Sequence, residues 1–408
     1  MADKSSVLYL NNCSLLTTTT GMRLTTGSVF FDNAIACKSQ SAQKLSSLTL
    51  TTSAYHGTSA NSVAWSPDGK FLAVGGNYGD LDLIIYSWNG SILTPQTSAA
   101  FGTQINMLVW GPDGKYLAVG GNAAPDVVIY AWDGATLTSK ATITVSGQSR
   151  ALDWSPDGRF IAVGADHNSP VRDFAMYRWD GHALTVLTTI DYSFPVYGVA
   201  WHPDGKYVAV GPDHAGTAPR IYSWNGNTLT QIINGATHET AVYAWSPDGR
   251  YLTSNVTSTF RIWRWTGSQL QSVTTDSFSP GARFDAWHPN GRYLAVAADD
   301  STGENQDLTI YEFNGTTLTK IVTADHGTWA LSVDWTPDGN YIAVAGNNST
   351  YDVIIYKCNY INETQTQALS NSIVFGNSAQ GATNDADVIV LPGAQVKVDG
   401  KVLYDGVS

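Results

Sequence analysis

Apolar and polar positions follow a pattern that repeats seven times along this chain. Each repeat has a short apolar stretch ending in tryptophan, a polar turn of the Pro-Asp-Gly type, and a second apolar stretch, as in residues 62–76. The tryptophans that mark the repeat are Trp65, Trp110, Trp154, Trp201, Trp245, Trp287 and Trp335. Spacings of 42 to 48 residues are typical of a β-propeller in which each repeat forms one four-stranded blade. We therefore expect an all-β, seven-bladed β-propeller.

Two further apolar segments complete each repeat. The third predicted strand ends in an aromatic residue, and a turn of the Asn-Gly type follows it, which is a strong hairpin signal. The last repeat lacks this turn at residues 358–360, while a Leu-Thr segment at Leu48 has no complete blade before it. Both irregularities disappear if residues 48–52 are the outer strand of the last blade. We therefore expect an N-terminal strand to close the ring beside residues 353–357.

Residues 1–43 and 359–408 do not carry the repeat. They contain short β-like segments separated by Asn, Thr and Gly, and neither end has enough of them to bury a core alone. We expect three segments, 1–43, 44–358 and 359–408, with the two ends forming one joint β unit. The strand edges of such a unit would allow self-association.

Composition narrows the class of partner. The formal net charge is −12, with 22 Lys and Arg against 34 Asp and Glu, which argues against nucleic acid or an anionic membrane. We expect no membrane insertion, because the sequence has no apolar run long enough to span a bilayer. The three cysteines follow neither a disulfide nor a metal-site spacing, and we expect no cofactor. A surface rich in Ser, Thr and Asn favours an extracellular or cell-surface location.

The repeat resembles the WD-repeat β-propeller family. The resemblance rests on the Trp-Ser-Pro-Asp-Gly sequence at 65–69, on the apolar strand after it, and on the strand-ending Trp-Asp pairs at 132–133 and 179–180. It covers about residues 45–358. The family's Gly-His pair is missing before each first strand, so its buried histidine network is not carried over. The resemblance implies a scaffold rather than a catalyst. The two ends also resemble rungs of bacterial surface β-solenoids.

A recurring aspartate opens the third strand of five repeats. These residues are Asp82, Asp126, Asp173, Asp307 and Asp352. Because an Asp side chain readily accepts hydrogen bonds from nearby backbone N–H groups, we expect these residues to be structural.

Candidate binding residues lie in the long connections. The short turns all fall on one face of a propeller, and the variable connections fall on the other, where binding is usually placed. The candidates are Tyr78, His167, Tyr192, His214, Asp300 and Trp329. Exposed aromatic rings among them would suit a glycan or a protein partner.

The sequence supports metal binding and catalysis less well than it supports a binding surface. The pairs Asp166-His167 and Asp213-His214 occupy the same connection in consecutive repeats and could together hold a metal ion. Exposed polar loop residues explain them equally well, and no metal ligand is assigned. The common catalytic motifs are missing, so we expect no catalytic residue and no enzyme activity.

Three functions remain open from the sequence. The first is a non-enzymatic binding or scaffold propeller that presents its variable face to a protein or glycan. The second is a structural unit of a surface filament or solenoid. The third is a propeller hydrolase or lyase with a metal or acidic site at the channel mouth.

Overall fold

The computed structural model describes a large part of the chain. The described residues are 9–10, 13–16, 23–25, 28–30, 36–39, 43–77, 82–122, 124–145, 147–166, 173–212, 219–234, 242–256, 259–277, 282–298, 307–327, 329–347, 350–362, 372–375, 395–398 and 401–405. All regular structure among them is β-strand. Hence no described segment is a helix that could cross a membrane.

Seven four-stranded antiparallel sheets form the blades, which we number 1 to 7 in the order of the repeat tryptophans. The inner strands, which surround the central channel, are Ser59–Trp65, Ile105–Trp110, Ser149–Trp154, Val196–Trp201, Tyr243–Trp245, Ala282–Trp287 and Trp329–Trp335. The second strands are Phe71–Asn77, Tyr116–Gly121, Phe160–Ala165, Tyr207–Pro212, Tyr251–Val256, Tyr293–Ala298 and Tyr341–Asn347. The predicted seven-bladed propeller is confirmed.

The remaining strands complete each blade toward its rim. The third strands are Leu83–Trp88, Val127–Trp132, Phe174–Trp179, Arg220–Trp224, Thr259–Trp265, Leu308–Phe313 and Val353–Asn362. The outer strands of blades 1 to 6 are Leu93–Ala99, Leu137–Ile143, Leu184–Ile190, Leu229–Ile233, Leu270–Ser277 and Leu318–Ala324.

An N-terminal strand completes blade 7, as the sequence predicts. This closing strand, Gln43–Ala54, is hydrogen-bonded to the third strand of blade 7. Asn359 Nδ2 donates to Ser47 Oγ at 3.1 Å and to Thr49 Oγ1 at 2.8 Å across the pair. The ring is therefore closed by residues from both ends of the propeller.

The turn after each inner strand has the geometry that its residues favour. In blade 1, Gly69 N–H donates to Ser66 O at 2.8 Å, and Ser66 Oγ donates to Asp68 Oδ1 at 2.7 Å. Gly69 has a φ of +69°, and the turn glycines of the other six blades lie between +69° and +71°. Glycine adopts this left-handed conformation without a steric penalty, so the turn is encoded locally in every repeat.

The apolar core lies between neighbouring blades. At the seam between blades 7 and 1, for example, Val63 and Leu72 of blade 1 pack in one buried cluster with Ala343 and Ile355 of blade 7. Each blade thus buries its apolar faces only by packing against its neighbours, as expected for a repeat architecture.

Aromatic pairs recur at the seams near the short turns. A ring at the start of a second strand packs edge-on against the ring that ends the third strand of the next blade, with ring centroids 4.8 to 5.2 Å apart. The pairs are Phe71–Trp132, Tyr116–Trp179, Phe160–Trp224, Tyr207–Trp265, Tyr251–Phe313 and Tyr341–Trp88. The equivalent residue in blade 7 is the buried Cys358.

The chain divides into two compact units, one of residues 46–359 and one of residues 1–45 with 360–408. In the second unit the described strands Tyr9–Leu10, Cys13–Leu16 and Ala36–Ser39 form one sheet, and Arg23–Thr25 pairs with Ser28–Phe30. Near the C-terminus, Ser372–Phe375, Gln395–Val398 and Lys401–Asp405 form a third sheet. The predicted domain boundaries and the joint terminal domain stay a prediction.

Candidate functional site

The connections between strands alternate between two faces of the propeller. In each blade the four strands are antiparallel and adjacent in order, so successive connections emerge at opposite ends. We call the face with the Pro-Asp-Gly and Asn-Gly turns the hairpin face. The opposite face carries the connections from second to third strand and from blade to blade, and we call it the long-loop face.

Neighbouring turns contact each other on the hairpin face. His202 Nε2–H donates to Gly249 O of the next blade at 2.9 Å, and His288 Nε2–H donates to Gly339 O at 3.2 Å. Both histidines are buried, and burial lowers the pKa of His288. The His202 ring also lies edge-on to Trp245, with centroids 4.6 Å apart. These histidines therefore connect blades.

Four predicted binding residues, Tyr78, His167, His214 and Asp300, lie outside the described residues and stay predictions. The proposed metal-binding partner Asp213 also lies outside them. Asp166 is described, and both of its carboxylate oxygens accept hydrogen bonds from Arg150, at 2.7 and 3.1 Å. Within the described ranges, no group of three or more His, Cys, Asp or Glu side chains could hold a metal ion.

Tyr192 is buried, so the expectation that it offers an exposed ring is wrong. Only 9% of the residue is exposed, and its hydroxyl lies 2.8 Å from the Tyr222 hydroxyl. The Arg220 guanidinium lies over the Tyr192 ring, 4.6 Å from its centroid. Burial raises the pKa of Tyr192 well above its usual value. Tyr192 anchors its connection inside the fold, because neighbours far away in sequence cover its ring.

The recurring aspartates bind the connections between blades, as predicted. Asp82 Oδ2 accepts from the backbone N–H of Phe101 at 3.0 Å and of Gly102 at 2.9 Å. Asp307 accepts the equivalent pair of bonds from His326 and Gly327 in blade 6, and Asp173 accepts from the Tyr192 N–H in blade 3. These carboxylates satisfy backbone donors of the buried residues Phe101, Tyr192 and His326, which would otherwise lack a partner. They fix the connections of the long-loop face to the blades.

Asp352 holds three connections together at blade 7. Its Oδ2 accepts from the backbone N–H of His56 at 3.0 Å and of Gly57 at 2.9 Å, in the connection that enters blade 1. Its backbone oxygen lies 3.2 Å from His326 Nε2, in the connection that enters blade 7. Asp352 is fully buried. The segments around Tyr55, His326 and Asp352 are therefore held at one place on the long-loop face.

Three exposed aromatic side chains project from these connections. Tyr55 is 57% exposed, Trp329 is 38% exposed and Tyr351 is 46% exposed. Asp325 is also exposed, and its Oδ1 accepts from the Gly327 N–H at 2.8 Å. We call Tyr55, Asp325, Trp329 and Tyr351 the blade-7 patch. Of these residues only Trp329 was predicted from the sequence, because Tyr55 and Tyr351 follow no repeat position.

A cavity of about 260 Å³ lies in the central channel, and its lining includes three carboxyl groups, those of the buried Asp285 and of the half-buried Asp153 and Asp334. Burial raises the pKa of Asp153, Asp285 and Asp334 to about 7. Asp153 accepts from the Trp201 N–H at 2.6 Å, and Asp334 accepts from the Trp65 N–H at 2.8 Å. Each of these two bonds joins consecutive blades. A structural role therefore accounts for the presence of Asp153 and Asp334 in the channel.

Asp285 is bonded within the fold in a different way. It accepts hydrogen bonds from the Thr253 hydroxyl and, at 2.8 Å, from Asn255 Nδ2, both on the second strand of blade 5. The third carboxyl group therefore also connects two blades. Carboxyl groups with a pKa near neutrality occur at acid–base sites, yet each of these three has a structural partner.

The tryptophan indoles divide the seams into two classes. At five seams the indole N–H donates to a backbone oxygen of the preceding blade at 3.0 to 3.3 Å. These pairs are Trp110–Ala64, Trp154–Val109, Trp245–Ala200, Trp287–Ala244 and Trp335–Ala286. The indole nitrogens of Trp65 and Trp201 are buried without a hydrogen-bond partner. At those two seams the aspartate bonds the tryptophan backbone instead.

A β-bulge opens the inner strand of six blades at the long-loop face. The bulged residues, at which the strand register shifts, each lie four positions before the tryptophan: Asn61, Asn106, Arg150, Tyr197, Arg283 and Leu331. Bulges redirect side chains, and the bulged Tyr197 lines the cavity of the channel. Asn61 Nδ2, for example, donates to Ile105 O of the next blade at 2.9 Å. These bulged residues were not predicted from the sequence, although a varied residue at one fixed repeat position marks them.

These features define a propeller of the WD-repeat type. The family model described as WD domain, G-beta repeat matches residues 317–351. Among solved structures, the β-propeller domain of Myceliophteria thermophila Cps50 (Swd1) matches with a TM-score of 0.59 and 15% identity. The match covers 76% of this chain and 100% of that chain, and at this identity it shows the fold alone. The predicted resemblance is confirmed.

A second family model matches most of the propeller. It is described as eukaryotic translation initiation factor eIF2A and matches residues 12–168 and 172–280. These segments make up more than half of the 408 residues, and the chain belongs to this family. No curated protein sequence matches the chain.

The comparisons support a protein-interaction propeller as the general class. WD-repeat propellers are typically non-catalytic, and the absence of enzyme activity stays a prediction. Neither family match supports a glycan ligand, a cell-surface location, a filament or a β-solenoid.

Proposed function

We propose that the chain is a non-enzymatic scaffold that binds a protein partner on its long-loop face, with the blade-7 patch as the anchor. The observation that carries this proposal is the exposure of Tyr55, Trp329 and Tyr351. Tyrosine and tryptophan supply much of the binding energy at protein interfaces, because their large rings bury apolar area with few rotatable bonds.

The distribution of exposed rings favours this location. Among the described residues of the propeller, 46–359, every aromatic side chain that is more than about a third exposed belongs to the blade-7 patch. The remaining large exposed apolar side chains are single and aliphatic, such as Ile92 on the hairpin face and Val186 on an outer strand. Single exposed aliphatic residues are ordinary on protein surfaces, whereas grouped aromatic rings are typical of interaction sites.

The family suggests where to look for the partner. Its description names a translation initiation factor, so proteins of translation initiation are the first partners to test. A rigid ring with bound connections also provides a preorganised surface, which lowers the entropic cost of binding a second protein.

A photo-crosslinking experiment tests the proposal. A photoreactive phenylalanine analogue replaces Tyr55 or Tyr351 in separate proteins, and the matched control carries it at Ile92 on the hairpin face. Tyr55 and Ile92 are equally accessible, at 57% and 56% exposure. We expect crosslinks to the same partner from positions 55 and 351 and none from position 92. Equal crosslinking from Ile92 would contradict the proposal.

Affinity measurements with the recombinant partner complete the test. We expect Trp329→Ala to weaken binding by at least about tenfold, as for a central aromatic residue of an interface, with an unchanged melting temperature. Val186→Ala on an outer strand is the control and should leave the affinity unchanged.

A further inference from the structure

The blade-7 patch is a preformed site with its own charge. The connections that carry it are residues 54–58, 325–330 and 347–352, and they contain no Lys or Arg. Their carboxylates are Asp325, which is exposed, and Asp352, which is buried beneath the patch. The patch itself therefore combines aromatic rings with negative charge, and one exposed cation, Arg283, lies on the same face at the bulge of the neighbouring inner strand of blade 6.

The two histidines beneath the patch do not offset this charge. His56 and His326 are each 1% exposed, and burial lowers the pKa of both. Both are therefore neutral at physiological pH. Burial is the largest effect on each ring, and the nearby carboxylates, which favour the charged form, oppose it only partly.

The nearest lysines along the strands lie toward the other face. Lys357 pairs with Tyr341, at the start of the second strand of blade 7, beside a short turn of the hairpin face. Lys320 pairs with Tyr311, near the end of the third strand of blade 6, which also runs toward the hairpin face. These cations therefore lie at the far ends of their strands from Asp325 and Tyr351.

We propose that the blade-7 patch binds a cationic peptide segment of the partner, with Arg or Lys side chains stacked on Tyr55, Trp329 or Tyr351 and paired with Asp325. The inference rests on the proposed function and specifies the chemistry of the partner. Guanidinium and ammonium groups bind the faces of aromatic rings, and an exposed carboxylate adds a charge-assisted hydrogen bond. The net charge of −12 attracts such a segment at a distance.

Defined peptides test this chemistry without the natural partner. The full chain is labelled with 5-fluorotryptophan, and the Trp329 resonance is assigned with the Trp329→Phe variant. The probe is Ac-Arg-Gly-Arg-Gly-Arg-NH₂. Its control is the same peptide with citrulline in place of arginine, which has nearly the same shape without the charge. A third peptide carries glutamate at these positions.

We expect the arginine peptide to shift the Trp329 fluorine resonance in a saturable way. The citrulline peptide should bind at least about fivefold more weakly, and the glutamate peptide should produce no shift. Raising the salt concentration should weaken the arginine complex, since exposed charges are screened. Equal affinity for the arginine and citrulline peptides, or no shift with the arginine peptide, would overturn the inference.

Two aspartate variants test whether the charge of Asp325 contributes to peptide binding. Asp325→Asn keeps an oxygen that can accept from the Gly327 N–H but removes the charge. Asp191 is the matched control, because it also follows an outer strand on the long-loop face and accepts from Ser193 N–H at 2.8 Å. We expect Asp325→Asn to weaken arginine-peptide binding about three- to tenfold and Asp191→Asn to leave it unchanged. Equal losses in both variants would show unspecific attraction and overturn the inference.

The two proposals fail in different ways. If photo-crosslinking at Tyr55 identifies a partner whose contacting segment is neutral or acidic, the proposed function stands and the cationic segment is wrong. If crosslinking occurs only from the hairpin face, the proposed function fails, even where arginine peptides shift the Trp329 resonance.

Discussion

Blade 7 closes the ring, and it differs from an ordinary blade such as blade 2 in its outer edge and its seam. The outer strand of blade 2, Leu137–Ile143, has 7 residues and follows its neighbour through a hairpin. The closing strand Gln43–Ala54 has 12 residues and comes from the other end of the propeller. The third strand of blade 2 ends in Trp132, which packs edge-on against Phe71, whereas blade 7 has Cys358 at that position.

Blade 7 therefore lacks two structural features that stabilise the other blades. No hairpin holds its outer strand, and no aromatic ring ends its third strand. Its stability relies on the long closing strand and on the bonds of Asp352. Blade 7 also carries the blade-7 patch, so ring closure and the proposed binding site depend on the same blade.

The largest effect is expected from removing the closing strand. Deletion of residues 1–54 should prevent stable folding or lower the melting temperature drastically, because it leaves a third strand with an unpaired edge. Deletion of residues 1–42 is the control, since it retains the whole closing strand. Circular dichroism melting and size-exclusion chromatography measure both. Equal stability of the two proteins would show that blade 7 does not need its N-terminal strand.

The second prediction compares the loss of the same aspartate-to-backbone hydrogen bonds in blade 7 and in blade 1. Asp352→Ala leaves two buried backbone N–H groups without this acceptor, and Asp82→Ala leaves one buried and one partly buried N–H group, so each should cost about 2–5 kcal/mol of unfolding free energy. Urea unfolding measures both losses. Only Asp352→Ala should also weaken partner binding, because it alone releases a connection of the blade-7 patch. A loss of affinity in both variants would argue against the patch.

The third prediction concerns the two seams bonded by aspartates. Because the folded-state pKa of Asp334 and Asp153 is raised to about 7, the folded protein holds more protons than the unfolded chain below that pH. Each carboxyl therefore favours folding at acidic pH, and this contribution is lost as the pH rises through 7. We expect the unfolding free energy to fall by roughly 2–3 kcal/mol per carboxyl between pH 5 and 8.

Denaturation at several pH values tests this dependence. Asp334→Asn and Asp153→Asn should each reduce the slope of stability against pH, whatever their effect at a single pH. Asp113→Asn, in an exposed turn of the hairpin face, is the control. An unchanged slope in both channel variants would show that other groups are responsible.

The smallest expected effect on stability comes from adding one hydrogen bond between blades 3 and 4. At the seam that follows blade 7, the Tyr341 hydroxyl donates to Gly90 O at 2.9 Å. Phe160 has the equivalent position in blade 3 and lacks a hydroxyl. We expect Phe160→Tyr to stabilise the protein by about 0.5–1.5 kcal/mol through a bond to Gly226, and Tyr341→Phe to destabilise it by a similar amount. Differential scanning calorimetry resolves both shifts, and a destabilised Phe160→Tyr protein would contradict the prediction.

Features repeated in every blade could be predicted from the sequence, because local residues determine them. The turn at Ser66 and Gly69 needs only its own residues, and seven copies of it identify the architecture. The closing strand could also be predicted, because the missing hairpin and the unpaired segment at Leu48 complement each other.

The candidate site could not be predicted in the same way, because exposure in the connections depends on contacts that are distant in sequence. Tyr192 is buried by Arg220 and Tyr222, about thirty positions later. The segments that carry Tyr55 and Tyr351 are joined only because Asp352 accepts hydrogen bonds from the residues after Tyr55. No pattern within a single repeat contains this information.

Closure by a strand from the opposite end also has a mechanical consequence. Asp352 lies beside His56, and Asn359 lies beside Ser47, so the closing strand and its partner are antiparallel. Tension applied through the two ends of the propeller therefore acts on the same end of this pair. Such a load separates the hydrogen bonds one after another, as in a zipper, whereas a shearing load would strain them all together. Blade 7 would consequently open at low force while the six hairpin-linked blades remain intact.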